Sequence, residues 1–181
     1  SASLATVHSV IACHFAGVLN VDGTTTDRPA GGAMLVRSGR VEVTNSTFTS
    51  LRAEAGGALA LMANASKGQS AHVQVSNSIF HDNNATQGGA AFVEGGKLTL
   101  LSSIMEANEA TQQGGALFVS RGEAVLGSGT MLTANNALPG QGRSYYLAYT
   151  SEADMLYVLP APLAHWVSNP FKCVRYRAPC P

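Results

Sequence analysis

Short runs of alternating apolar and polar residues recur along the chain at nearly constant intervals. Val41-Glu42-Val43, Val73-Gln74-Val75, Leu98-Thr99-Leu100 and Val125-Leu126-Gly127 each open such a run. Successive side chains of a strand point to opposite faces, so a period of two predicts short strands with one buried side. No segment sustains a period of 3.6 residues, and helices are therefore expected to be few.

The turns between these runs repeat as well. Gly-Gly-Ala occurs at Gly31-Gly32-Ala33, Gly56-Gly57-Ala58, Gly88-Gly89-Ala90 and Gly114-Gly115-Ala116, with Gly140-Gln141-Gly142 as a degenerate fifth copy. The intervals are 25, 32, 26 and 26 residues. The long one contains the polar stretch Ala63-Asn64-Ala65-Ser66-Lys67-Gly68-Gln69, which reads as a loop inserted into one turn. A second motif keeps step: Phe48, Phe80, Met105 and Leu132 are each followed five residues later by Ala, at Ala53, Ala85, Ala110 and Ala137. A unit of about 25 residues built from period-two strands cannot bury its own apolar face, whereas units stacked at roughly 4.8 Å share a continuous core. Paired glycines suit turns in which φ is positive or backbones come close.

Three residues after the apolar position stand Leu51, Asn83, Asn108 and Asn135. An inward Asn repeated at one turn satisfies its buried amide on its neighbours above and below, so Asn83, Asn108 and Asn135 are expected to form a structural ladder that Leu51 ends.

The combination of Gly-Gly-Ala-apolar with Phe-x-x-Asn over residues 31 to 142 resembles the repeats of the chlamydial polymorphic outer membrane proteins and of large surface proteins of algae and other protists. Phe80-His81-Asp82-Asn83 is a full match; Met105 to Asn108 and Leu132 to Asn135 are conservative variants, and Phe48 to Leu51 lacks the Asn. The resemblance implies an all-β fold, a right-handed single-stranded parallel β-helix of the pectin-lyase-like kind with about five to six coils. It implies surface display or adhesion and carries over no catalytic residue. On this reading residues 1–158 form the β-helix and 159–181 a C-terminal cap or linker, with a Cys173–Cys180 loop and Trp166, Phe171 and Tyr176 as capping residues. The prolines around these cysteines suit a disulfide; free thiols are the alternative. The tail is similar to segments that follow such repeats in protist surface proteins.

Charge removes several function classes. Charged residues make up 12% of the chain, with 11 basic and 11 acidic side chains, and nucleic acids or anionic membranes call for a basic surface. The longest apolar runs, such as Ala58 to Met62, are too short for a transmembrane segment. The start, Ser1-Ala2-Ser3, has neither an initiator Met nor a signal peptide, as expected of a processed or excised piece of a longer chain. Cys13 is expected to be a small buried hydrophobe. Three sequons are present, at Asn45, Asn64 and Asn84. Asn64 in the inserted loop and Asn84 beside the ladder are expected to be glycosylated in a eukaryotic secretory protein, whereas Asn45 continues the inward parity of Val43 and is expected to be buried.

Chemistry is sparse. Polysaccharide lyases and glycoside hydrolases need clustered carboxylates, at equivalent positions of adjacent turns in a solenoid. Glu42 is expected to stack with Gln74, Thr99 and Leu126, and Glu94 with Arg37, Met62 and Ser120. His81, Asp82 and Glu106 are the best candidate cluster, and an ordinary polar turn surface is the simpler reading. No cofactor or metal motif is visible among the five histidines and three cysteines. If Met34, Val36, Leu59, Leu61, Ala91, Val93, Leu117 and Val119 point inward, then Leu35, Phe92 and Phe118 form an outward apolar stripe, a candidate interface; the opposite parity puts the phenylalanines in the core. The expected function is a non-catalytic structural or adhesive module of a larger extracellular surface protein or filament. Its partners would be flanking domains or other subunits, with N-glycans on its surface. A carbohydrate-active enzyme and a glycan-binding module are the alternatives; the scattered outward threonines, such as Thr44 and Thr99, form no flat ice-binding array.

Overall fold

The computed structural model of the chain describes residues 7–16, 30–148 and 155–158. Its strands are short, and every pairing between them is parallel. No α-helix occurs among the described residues; a single 3-10 turn spans Ala65–Lys67. The first sheet stacks Val7–Ile11, Gly39–Thr44, Ala71–Ser76, Lys97–Leu101, Glu123–Leu126 and Met155–Val158. The second stacks Met34–Val36, Leu59–Met62, Ala91–Glu94, Leu117–Ser120 and Tyr145–Ala148. The third stacks His14–Ala16, Thr47–Thr49, Ile79–His81, Ile104–Glu106 and Met131–Thr133. Asn84–Gln87 and Glu109–Gln113 pair as a small fourth sheet. Between visits to the second sheet the chain passes once through the first and then the third. This all-β arrangement of parallel strands stacked in sheets is compatible with a parallel β-helix.

The period-two pattern has its physical consequence in one buried cluster. Val43, Val75, Leu100 and Leu126 from the first sheet meet Leu61, Val93 and Val119 from the second and Phe48, Phe80, Met105 and Leu132 from the third. In-register stacking places like side chains over like. The rings of Phe15 and Phe48 are 4.8 Å apart and those of Phe48 and Phe80 4.6 Å apart, stacked nearly parallel. One register differs from expectation. Thr99 pairs with Val125, not Leu126, and Ala124 and Leu126 are the buried residues of that strand. Burial of alternate residues fixes register to a single value, and a slip of one would have turned Leu126 to solvent.

The Gly-Gly-Ala motif is a backbone requirement. Its first glycine has φ of 62° to 68° in the copies at Gly31, Gly56, Gly88 and Gly114. A Cβ on the second glycine of Gly57 or Gly89 would overlap the carbonyl oxygen of the equivalent glycine in the next repeat, Gly89 or Gly115. The alanine that follows is fully buried at Ala58, Ala90 and Ala116. The degenerate copy lies two residues later than expected. Gly114 and Gly115 donate to the carbonyls of Gln141 and Gly142, so Gly142, with φ of 71°, occupies the first-glycine position and Gly140 precedes the motif.

Two further corners turn on left-handed residues that are not glycine. Asn45, Asn77 and Ser102 have φ of 51°, 49° and 45° after the first sheet, and Ser50, Asp82, Ala107 and Ala134 have φ of 53° to 55° after the third. Each such residue costs about 1–2 kcal/mol for an L side chain, and persists because the residue after it is tied into the interior. The proposed cap and disulfide (Cys173, Cys180, Trp166, Phe171 and Tyr176) lie outside the described residues.

Candidate functional site

The buried polar groups come first, because they decide what the interior can do. Asn83, Asn108 and Asn135 are 0%, 0% and 6% exposed. The Oδ1 of each accepts the backbone N–H one repeat earlier, from Leu51, Asn83 and Asn108, at 3.0–3.1 Å. Each Nδ2 donates to a carbonyl of that earlier repeat (Phe48, Phe80 and Met105, 2.9–3.0 Å), and the amides of Asn83 and Asn108 also bond to the next Asn. Every polar atom of Asn108 has a partner, which is the condition for burying an amide at all.

A second ladder was not anticipated. Ser46, Ser78 and Ser103 are each about 1% exposed or less. The Oγ atoms of Ser78 and Ser103 accept the N–H of Ser46 and Ser78 at 3.1 and 3.2 Å, and each serine donates back to the carbonyl two residues earlier. The sequence carries it as a Ser two residues before Phe48, Phe80 and Met105, but serine is common in turns and the triplet by itself does not distinguish a ladder. Cys13 occupies the same column; its N–H donates to Ser46 Oγ at 3.3 Å. It is half-buried and unpaired, not a core hydrophobe as expected, because it takes a corner position whose side chain serves the backbone.

The expected apolar stripe is corrected. Leu59, Leu61, Ala91, Val93, Leu117 and Val119 do face the main core, and Phe92 and Phe118 face away from it. They are nonetheless only 6% and 5% exposed, in a second apolar cluster with Ala55 and Ala60, against which Ala30, Leu35 and Tyr146 pack. The chain entering each Gly-Gly-Ala turn stacks as its own column, Ala30 on Ala55 on Gln87 on Gln113, and covers that face. Gln87, Gln113 and Gln141 are joined side chain to side chain at 3.0 Å along it. Leu35, Phe92 and Phe118 are therefore not a free interface of this chain. Exposed apolar side chains lie elsewhere, among them Ile79 (41%) and Met131 (50%) on the third sheet, in register on either side of Ile104.

The sequons separate by geometry. Asn45 is exposed, against expectation, because its left-handed backbone breaks the strand parity and sends Ser46 inward instead. Asn64 is exposed and Asn84 half-buried, its Nδ2 directed to Glu109 Oε2 at 3.4 Å. Glu106 pairs in register with His81 and Asp82 lies on the adjoining corner, its Oδ2 accepting from Ser50. Among the described residues no group of three or more His, Cys, Asp or Glu side chains is placed to hold a metal ion.

A concavity lies beside the inserted loop. The inserted stretch leaves the strand Leu59–Met62, makes its 3-10 turn and returns at Ala71, overhanging the corners of the next two repeats. Between them lies a cleft of about 560 Å³, lined by Asn64, Ser66, Gln69, Glu94, Gly95 and Arg121 among others. Glu94 and Arg121 form an ion pair on its wall, with side chains 29% and 63% exposed. Glu94 is in register with Met62 and Ser120, as expected.

No protein-family model, no curated protein and no solved structure matches the chain. No helix among the described residues is long and apolar enough to cross a membrane.

Proposed function

We propose that the chain is a right-handed, single-stranded parallel β-helix, its coils counted by the five- and six-stranded sheets, that acts as a non-catalytic structural or adhesive module of a larger extracellular surface protein or filament. The observation that carries this reading is the interior. Hydrogen-bonded Asn and Ser ladders and stacked rings fill it from repeat to repeat. Such a fold is a stiff rod whose stability is approximately a sum of neighbouring interfaces, suited to spacing and display. The likeness of its repeats to those of polymorphic outer membrane proteins belongs to the same proposal, as do N-glycans on the exposed Asn64 and on Asn84.

The test is direct. Antibody raised to the recombinant chain is applied to intact and to permeabilised source cells. Labelling of intact cells is the expected result; labelling only after permeabilisation refutes the surface role. Intact mass before and after deglycosylation of native material tests the glycans, and an unchanged mass refutes them. A carbohydrate-active enzyme would require acids acting together, for which the neighbourhood of His81, Asp82 and Glu106 is the place. Release of unsaturated or reducing ends from polyuronates or neutral glycans, lost in Glu106→Gln, would overturn the non-catalytic reading.

A further inference from the structure

We infer that the cleft beneath the inserted loop is a binding site for a neutral saccharide, one or two sugar rings in extent. The inference deepens the adhesive reading above and rests on it.

The loop is a built wall. Asn64 Oδ1 accepts both the N–H and the hydroxyl of Ser66 at 3.0 and 2.6 Å. Asn64 N–H donates to Gln69 Oε1 at 3.1 Å, and the Asn64 carbonyl accepts the N–H of both Lys67 and Gln69. Gly68, left-handed at φ 67°, closes the turn by donating to Ala65. Its two ends rest on glycines, since a Cβ on Gly95 would overlap the Ala63 carbonyl and one on Gly96 the carbonyl of Ala71. The wall is thereby held in place before any ligand arrives, which lowers the ordering cost of binding.

These same bonds leave a particular set of groups facing the cleft. With Oε1 of Gln69 engaged within the loop, its amide nitrogen Nε2 remains as a donor with no partner among the described residues, whereas Nδ2 of Asn64 is the atom an N-glycan would take. Across the cleft, the Glu94 carboxylate presents acceptor capacity and the Arg121 guanidinium further donors beyond their mutual ion pair. The pair is neutral as a unit, so the site selects neither anion nor cation. No aromatic or large aliphatic side chain is among its lining residues, which disfavours an apolar ligand. Carboxylate, guanidinium and the Gln69 amide lining one concavity match the alternating donors and acceptors of vicinal hydroxyl groups. A volume of about 560 Å³ falls within the ordinary range of ligand sites.

The experiment is a titration of the full 181-residue chain, produced unglycosylated because a glycan on Asn64 would stand at the rim. Glucose, galactose, mannose, N-acetylglucosamine and cellobiose are added in turn, and backbone amide shifts are followed by NMR. Saturable shifts confined to residues 63–70, 94–96 and 121 with at least one sugar are expected. Glu94→Gln and Arg121→Ala, both partly exposed, keep the fold's spectrum and weaken that binding about tenfold or more, the loss that follows from removing one charge-assisted hydrogen bond. Absence of saturable shifts for every sugar overturns the inference, as do shifts elsewhere or binding unchanged in both variants. The surface-labelling test above is independent, so loss of the saccharide site leaves the structural reading standing.

Discussion

Asn108 is the residue on which the ladder argument can be made to fail. Replacing it by Ala removes four hydrogen bonds: two accepted from Asn83 (N–H at 3.0 Å, Nδ2 at 2.9 Å) and two donated to Phe80 O and Asn135 Oδ1. The consequences are unequal. Asn83 Nδ2 keeps Phe48 O, and Asn135 Oδ1 keeps the N–H of Asn108 itself. The Asn83 N–H has no other partner among the described residues and becomes a fully buried orphan donor, costing about 1–3 kcal/mol. The three other bonds contribute roughly 0.5–1.5 kcal/mol each, so the loss comes to about 5 kcal/mol at the middle of these ranges. For a chain of this size that is a fall of roughly 10–20 °C in Tm. Asn108→Leu fills the space and leaves the same orphan, so it recovers only part. Asn108→Asp is the sharper variant. Its second oxygen would face two acceptors, Phe80 O and Asn135 Oδ1, in a dry site that raises the folded-state pKa. A raised folded pKa means stability present at low pH and lost as pH rises through it, so this variant is expected to melt higher at pH 4 than at pH 8 relative to the parent. The control is Asn84→Ala, which forfeits one long bond to Glu109 and is expected to fall within about 0.5 kcal/mol of the parent. Thermal and urea unfolding followed by far-ultraviolet circular dichroism measure all four. An Asn108→Ala chain within about 1 kcal/mol of the parent would refute the reasoning.

The remaining predictions follow from the same contacts. Gly57→Ala is expected to abolish folding, because its Cβ meets backbone on several sides, whereas Gly39→Ala, with φ of 90° and open space around it, is expected to cost about 1–2 kcal/mol; similar expression and Tm for the two would contradict the close-approach account. Phe118→Ala is expected to cost about 3–5 kcal/mol as a buried residue stacked between Phe92 and Tyr146; a change under about 1 kcal/mol in denaturant unfolding would restore the exposed stripe. Ser78→Ala orphans the buried Ser46 N–H and is expected to cost about 1–3 kcal/mol, while Ser78→Thr keeps the acceptor and costs less; equal losses in the two would show that the serine column is incidental.

Much of the fold was legible because a stacked repeat writes its contacts periodically. The Gly-Gly-Ala spacing, the period-two runs and the Asn three residues after Phe80, Met105 and Leu132 report local backbone demands and an alternation of faces, and both are properties of short windows. The inserted loop announced itself as the one long interval. What the windows could not report was how one segment lies on another. Parity placed Phe92 and Phe118 on the far side of their sheet, but whether that side met water depended on the column from Ala30 through Ala55 and Gln87 folding back over it. The same holds at the corners. A continuous strand would turn Asn45 inward; its own left-handed backbone reverses that and admits Ser46 to the interior. The cleft has no motif at all, since Asn64 and Gln69 face Glu94 and Arg121 only through the stacking of successive repeats. The chain alone thus determined the repeat and the ladder, which are enforced by backbone geometry and by the cost of burying an unpaired amide. Tertiary structure alone decided which outward faces are covered and which polar side chains converge, because those depend on the path of the backbone between strands.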